Sequence, residues 1–451
     1  MERQEFLPAT LLPLPWCKDL STYRMRNLGV QATTNVFTKE MSMPESRQPE
    51  SVKYQLPETI APFAGLINDT DGHESMPIKH WEETFGAEVR PLAKALLNAG
   101  DEGQAIIHFP DLVGDNTEIT ADTVWKVKME KAPGSFNIGR RLEVLDFTGV
   151  HRQIMYPGLA PIYAHALYNK AADPMVFRSI TGDRKAYAYR LMDLHNDWCG
   201  RVSREQDRVR PTALLIDETP EAMYEKARKL VDKGVRLFML ATDEPPGGVS
   251  PASPRLDPLW SLLAAANCPV LGHISISEKL LATLEWRNAP AFEGWMLGAE
   301  FSLDPWTLTN IHLQIQNYVM TMVLGGVFDR HPNLIFGCAE FTGHWVGPLA
   351  ENMDRFYGST PFASSQAHTM LKLKPSEYIR RNIRVACFDF EPVGTYIDRY
   401  GFEDVFCYAS DFPHHEGGKD PMGNFAKSLA GKSHNVLKKF FVENGRSLLP
   451  D

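Results

Sequence analysis

The chain has 451 residues, 43% of them hydrophobic and 23% charged, an ordinary globular composition at a length that a barrel with insertions reaches. Its net charge of −9, with no basic stripe, argues against a nucleic-acid or membrane partner. No run approaches the roughly twenty apolar residues of a spanning helix, the N-terminus lacks a leader pattern, and the six scattered cysteines show no CxxC spacing, so a soluble cytoplasmic protein with reduced thiols is expected.

Residues 1–62 lack sustained periodicity and carry scattered prolines, which predicts an arm or extension ahead of one domain over 63–451. The first strand is predicted at 66–73, ending Asp71-Gly72-His73. Helical text follows at Trp81–Gly86 and Val89–Ala99, and residues 100–136 read as an irregular insertion. Ile138–Phe147 is apolar at helical spacing and stops at Thr148-Gly149. Beyond it, strands are predicted at 150–156, 209–216, 235–240, 269–274, 334–340, 384–390 and 405–411. Helices are predicted between them: Ala186–Cys199, a segment opened by Thr219 as N-cap with Pro220 next, Asp257–Asn267, Pro375–Arg381 and Val393–Gly401. A helical run, Leu308–Leu324, carries His312. Eight strands alternating with helices predict an α/β fold, a parallel sheet closed as a distorted (β/α)₈ TIM barrel with inserted loops and helices. No Gly-rich phosphate fingerprint follows any strand, which disfavours a dinucleotide-binding sheet.

Chemistry in such barrels sits at the C-terminal ends of the strands. The first strand ends in Asp71 and His73, which a strand sends to one face. The fifth ends in His273, the sixth in Glu340 with His344 four residues on, and the eighth in Asp411 followed by His414 and His415. Each residue alone has an ordinary reading: a core histidine for His273, a helix cap for Glu340 or Asp411, a loop surface for His344 and His415. Their common level on independent strands is the more specific observation. A buried aspartate after the apolar run 405–409 is costly without a partner, and a cation removes that cost. His331, ahead of a strand, is assigned to structure. Trp81, Trp306 and Trp345 are assigned to core or pocket wall.

Four segments carry a resemblance: Asp69-Thr70-Asp71-Gly72-His73; Leu256-Asp257-Pro258-Leu259-Trp260 with Pro269-Val270-Leu271-Gly272-His273; the run 324–334 with its Gly-Gly-Val-Phe-Asp-Arg core; and Ala409-Ser410-Asp411-Phe412-Pro413-His414. Over roughly 62–448 the chain resembles the amidohydrolase-related family typified by aminocarboxymuconate-semialdehyde decarboxylase. The resemblance implies a distorted barrel with one divalent metal at its mouth, and a homodimer. The family's His-x-His or Glu-x-His pair is Asp71-x-His73 here, and its strand-six histidine is replaced by Glu340.

The expected metal ligands are therefore Asp71, His73, His273 and Asp411. Two carboxylates and two imidazoles suit one Zn²⁺ first and Mn²⁺ next. Glu340, His344 and Asp411 are the expected catalytic residues, Glu340 or His344 moving the proton, and Trp306, His312 and His415 are expected to line the substrate. The leading expectation is a lyase that decarboxylates, or cleaves a related C–C bond of, a small carboxylated, aromatic or unsaturated substrate. The first alternative is a hydrolase of amides, lactones or C–C bonds that uses metal-activated water. A non-catalytic barrel is the second.

Overall fold

Parallel strands covered by helices on both faces are mostly apolar. The computed structural model covers its strands in this way but buries several polar strand residues, among them Asn68, Asp69, Arg152, Gln153, Arg210 and Thr212; it describes residues 54–97, 114–274, 289–292, 304–358 and 371–450. Its strands are β1 (Ile67–Asp69), β2 (Val150–Met155), β3 (Val209–Leu214), β4 (Leu237–Leu240), β5 (Val270–His273), β6 (Phe336–Ala339), β7 (Ile383–Cys387) and β8 (Phe406–Tyr408). They form one sheet in chain order, and every neighbouring pair is parallel. Between β8 and β1 the backbone closes the ring through irregular bonds: Thr70 N to Tyr408 O (3.1 Å), Asp411 N to Asp71 O (2.9 Å) and His73 N to Phe412 O (2.7 Å). The result is a distorted (β/α)₈ barrel.

Local chemistry sets the helices as expected. Thr219 Oγ1 accepts from Ala222 N at 3.1 Å and opens the helix Pro220–Asp232. The long helix runs farther than its apolar pattern, Arg184–Glu205, because Asp183 caps it by accepting from Ala186 N. The run 308–324 is not one helix. Asp304 caps Pro305–Asn310, and a separate helix, His312–Leu324, follows.

Every strand is shorter than expected, β1 and β8 by the most. β1 stops at Asp69 because its carboxylate accepts from Ser410 N (2.9 Å), Ser410 Oγ (2.5 Å), Gln153 Nε2 (2.8 Å) and Asp71 N (3.3 Å), which replaces the ladder. Pairing resumes only at single bridges, Gly72 to Phe412 and His73 to Tyr156. β8 stops at Tyr408, and Asp411 lies beyond it.

Residues 54–62, placed in the arm from sequence, pack against the barrel: Tyr54 N bonds Phe147 O at 3.1 Å, and Ile60 is fully buried. The rest of the expected arm, Cys17, residues 98–113 of the insertion and the tip of the Val89–Ala99 helix fall outside the described residues. The described part of the insertion forms a small second core, in which Val124, Trp125, Ala132 and Val144 surround Phe412. The five described cysteines are free and buried. Among the described residues no helix is long and apolar enough to cross a membrane.

Candidate metal centre

Six side chains converge where β1, β5, β6 and β8 end: Asp71, His73, His273, Glu340, Asp411 and His414. His73 Nε2 lies 3.0 Å from Glu340 Oε1, 3.2 Å from Asp71 Oδ1 and 3.3 Å from Asp411 Oδ1. His273 Nε2 lies 3.4 Å from Glu340 Oε2 and 3.9 Å from Asp71 Oδ1. His414 Nδ1 lies 3.3 Å from Asp411 Oδ1 and 3.5 Å from Glu340 Oε1. The His414 ring stacks on His73 with centroids 3.6 Å apart.

This crowding has no internal solution by hydrogen bonding. One imidazole nitrogen carries one proton at most, yet three carboxylate oxygens face His73 Nε2. Asp71 Oδ1, both oxygens of Asp411, both ring nitrogens of His73 and Nε2 of His273 are buried without a hydrogen-bond partner. Orphaned buried polar atoms are costly, whereas spacings near 3 Å are those of ligands about 2.1 Å from a shared ion. His273 Nδ1 faces Ile274 O at 3.0 Å. That bond holds the proton on Nδ1 and aims the Nε2 lone pair at the carboxylates, as a ligating imidazole requires. The residues present therefore fit a divalent cation.

The electrostatics agree. Burial alone would push the His73 imidazole down, but Asp411, Asp71 and Glu340 overcome it and hold its pKa well above the ordinary 6.5. Burial pushes Asp71 up to about 6 against the pull of His73. Burial also opposes a charged Glu340, yet His273, His414 and His73 hold it well below the ordinary range. The cluster thus takes up positive charge and keeps Glu340 ionised.

A buried chain of polar groups backs Asp71 and His73. Arg141 donates to His73 O (2.6 Å) and to Gln153 Oε1 (2.6 Å), and Gln153 donates to Asp69. Burial raises Asp69 to about 6 against its bonds from Ser410 and Gln153. Between Asp71 and His73, a Cβ at Gly72 would lie 2.7 Å from the Gln153 side chain, so glycine lets the two approach it. Arg141 also sits 4.7 Å over the Phe412 ring, next to Asp411.

Other expected site residues lie elsewhere. His344 is exposed and outside both groups of donors. Trp345 Nε1 donates to Thr342 O (2.8 Å) and Glu391 accepts from Gly343 N (2.7 Å), which turns His344 toward Thr342 Oγ1 (2.6 Å) and the His312 ring, 4.4 Å away. Burial, with His344 alongside, lowers His312 to about 4, so the pair is neutral. Trp306 is half-buried on Pro305–Asn310, outside the donor groups. His415 is exposed, and it is His414, one residue earlier, that joins the cluster. The sequence reading also passed over Tyr156, buried with its ring 4.2 Å from His273. His331 bonds Asp257 at 3.0 Å, a structural role, as expected.

The sequence model of a family described as amidohydrolase matches residues 169–450. The chain belongs to the amidohydrolase family. This amidohydrolase is similar in fold to several solved structures, 85% of its length being covered in each of three. An amidohydrolase from Mycobacterium avium subsp. paratuberculosis is 20% identical with a TM-score of 0.61, over 99% of that chain. A 2,6-dihydroxybenzoate decarboxylase from Rhizobium is 14% identical with a TM-score of 0.52, over 98% of that chain. A 5-carboxyvanillate decarboxylase from Novosphingobium aromaticivorans, complexed with manganese and a nitrobenzoic acid, is 16% identical with a TM-score of 0.50, over 96% of that chain. No curated protein matches the chain.

Proposed function

We propose that the cluster holds a divalent metal and that this amidohydrolase cleaves a bond beside a carboxylate or carbonyl of a small substrate, with Glu340 as base. Asp71, His73, His273 and Asp411 are the ligands, and Glu340 stands beside them as the base. A divalent ion there supplies Lewis acidity toward substrate oxygen or water. The observation that carries the reading is Asp411, whose two oxygens are buried without hydrogen bonds beside imidazole nitrogens.

Hydrolysis fits the site best. Its first step needs a base, and Glu340 is held ionised by three imidazoles. Tyr156 lies beside His273 and walls the site. Non-oxidative decarboxylation is the second reading. Proteins named decarboxylases share the fold, and the substrate carbon would take its proton from His414, since Glu340 is ionised. Zn²⁺ is the first choice for two carboxylates and two imidazoles, and Mn²⁺ the next. The dimer and the cytoplasmic location are further parts of this proposal, resting on the family resemblance and on the scattered cysteines without CxxC spacing.

The test is a panel of small aromatic and unsaturated carboxylates, lactones and amides in ¹⁸O-labelled water. Label in the product supports hydrolysis, and CO₂ release supports decarboxylation. His273→Ala should lose bound metal and activity while staying folded. Full activity after exhaustive chelation overturns the reading.

A further inference from the structure

A concave site lies on the shoulder of the barrel, apart from the donor cluster. Where β3 and β4 end, a cavity of about 300 Å³ opens between the two strands and the helix Pro220–Asp232. Its floor is apolar: Leu215, Met223 and Leu240, each only 1% exposed. The cavity faces away from the barrel axis. Leu240 is in register with Gly272, so the two present the same side of the sheet. A Cβ on Gly272 would lie 2.7 Å from Ile315, on the covering helix His312–Leu324. His273, the next residue, points the other way, to Glu340 and Asp71. A ligand in this cavity therefore does not share the space of the six donors.

The rim carries charge of one sign. Asp217, Glu218 and Glu244 line it, and none of the described lining residues is a lysine or an arginine. Ammonium groups of the chain answer two of these carboxylates from beside the cavity. Lys226 Nζ lies 3.3 Å from Asp217, and Lys185 pairs with Glu218 while sitting 5.0 Å over the ring of Tyr168, which walls the cavity. Glu244 is half-buried and has no such partner among the described residues. The imidazole within its reach, His165, is pushed down by burial and stays neutral. An apolar floor below an unanswered carboxylate, next to an aromatic ring that already attracts an ammonium, is complementary to a cation on an apolar arm.

We propose that this shoulder cavity binds a small primary amine with an aromatic or alkyl arm. The arm lies on Leu215, Met223 and Leu240, and the ammonium group lies at Glu244 and Tyr168. The site does not depend on the proposed function.

The experiment is isothermal titration calorimetry of the full chain with 2-phenylethylamine, and with 2-phenylethanol as its neutral counterpart of the same shape. The amine should bind once per chain, and the alcohol about tenfold more weakly, since only the amine forms a charge-assisted bond. E244Q should weaken the amine by about the same factor and leave the alcohol unchanged. Ala241, half-buried on the lining, offers a way to fill the space: A241L should abolish binding of both. Circular dichroism checks that each variant is folded, and A241V replaces A241L if the latter is not. Amine binding should survive exhaustive chelation. No binding of the amine, or equal affinity for the alcohol, overturns the proposal. Undiminished amine binding in E244Q and the filled variant, or its loss on chelation, puts the amine elsewhere and overturns the site.

Discussion

Glu340 and Asp411 both sit in the left-handed region, at φ 61° and 51°. Aspartate tolerates it through its short polar side chain, but glutamate does not, and such a backbone costs about 1–3 kcal/mol. The strain is held by neighbours: Trp345 Nε1 on Thr342 O, Glu391 on Gly343 N, Ser410 on Asp69. Strain retained at two carboxylates of one cluster is what a functional site looks like. Replacing Glu340 by Gln keeps shape and backbone while removing the proposed base. The expected outcome is a rate roughly 10²–10⁴-fold lower in a folded protein, read from kcat with circular dichroism as control. An unchanged kcat would remove Glu340 from the chemistry. His414 and His415 show where residue-scale reading stops. Adjacent histidines after Asp411 look alike in sequence, and only the turn, in which His414 N bonds Asp411 O at 2.8 Å, decides which one faces inward. Asp-x-x-His spacing was the available signal.

At the scale of elements, loops after strands are fixed by buried carboxylates and by one small core. Glu391 is buried and accepts from Gly343 N (2.7 Å), Phe388 N (2.9 Å) and Tyr396 Oη (3.3 Å), tying the β7 loop to the loop that carries Glu340. Burial raises its pKa from 4.5 to about 7. The folded protein therefore binds this proton more tightly than the unfolded chain does. The contribution to stability is complete below about pH 4.5 and is lost as pH climbs through about 7. Melting curves across that window should show the loss, and E391Q, though less stable, should show a flatter slope; an identical slope would assign the proton elsewhere. Phe412 is clamped between Trp125, whose ring centroid is 6.2 Å away, and Arg141. Phe412→Ala should cost about 3–5 kcal/mol and weaken metal retention, because Asp411 and His414 lie on either side of it. Denaturant melts and metal analysis of the same sample check both. The eight strands and the Thr219 cap were legible because apolar runs and N-caps are local signals. The early end of β1 was not. It depends on Asp69 meeting Ser410, 341 positions away in the chain, and no periodicity reports such a meeting. The outward turn of His344 depends likewise on Glu391, 48 positions from Gly343.

For the whole molecule, the cluster proposed to hold the metal is also the place where the barrel closes. β1 and β8 share no regular ladder; they are joined by Thr70–Tyr408, Asp71–Asp411 and His73–Phe412 backbone bonds that run through residues of the donor cluster. An ion pulling Asp71 and His73 toward Asp411 would thus hold the seam of the sheet, and binding would count as folding free energy. With free metal about 100-fold above Kd, the stabilisation is about 2.7 kcal/mol. Chelation should lower the Tm, and added Zn²⁺ or Mn²⁺ should restore it. Ligands must be deprotonated to bind, so protons compete with the ion, and the gap between loaded and chelated protein should narrow as pH falls. Hydrogen exchange places the effect: protection at 70–73 and 408–412 should fall first when metal is removed, while amides of β3 to β6 hold. Equal loss around the whole ring would mean that the ion stabilises the barrel without closing it.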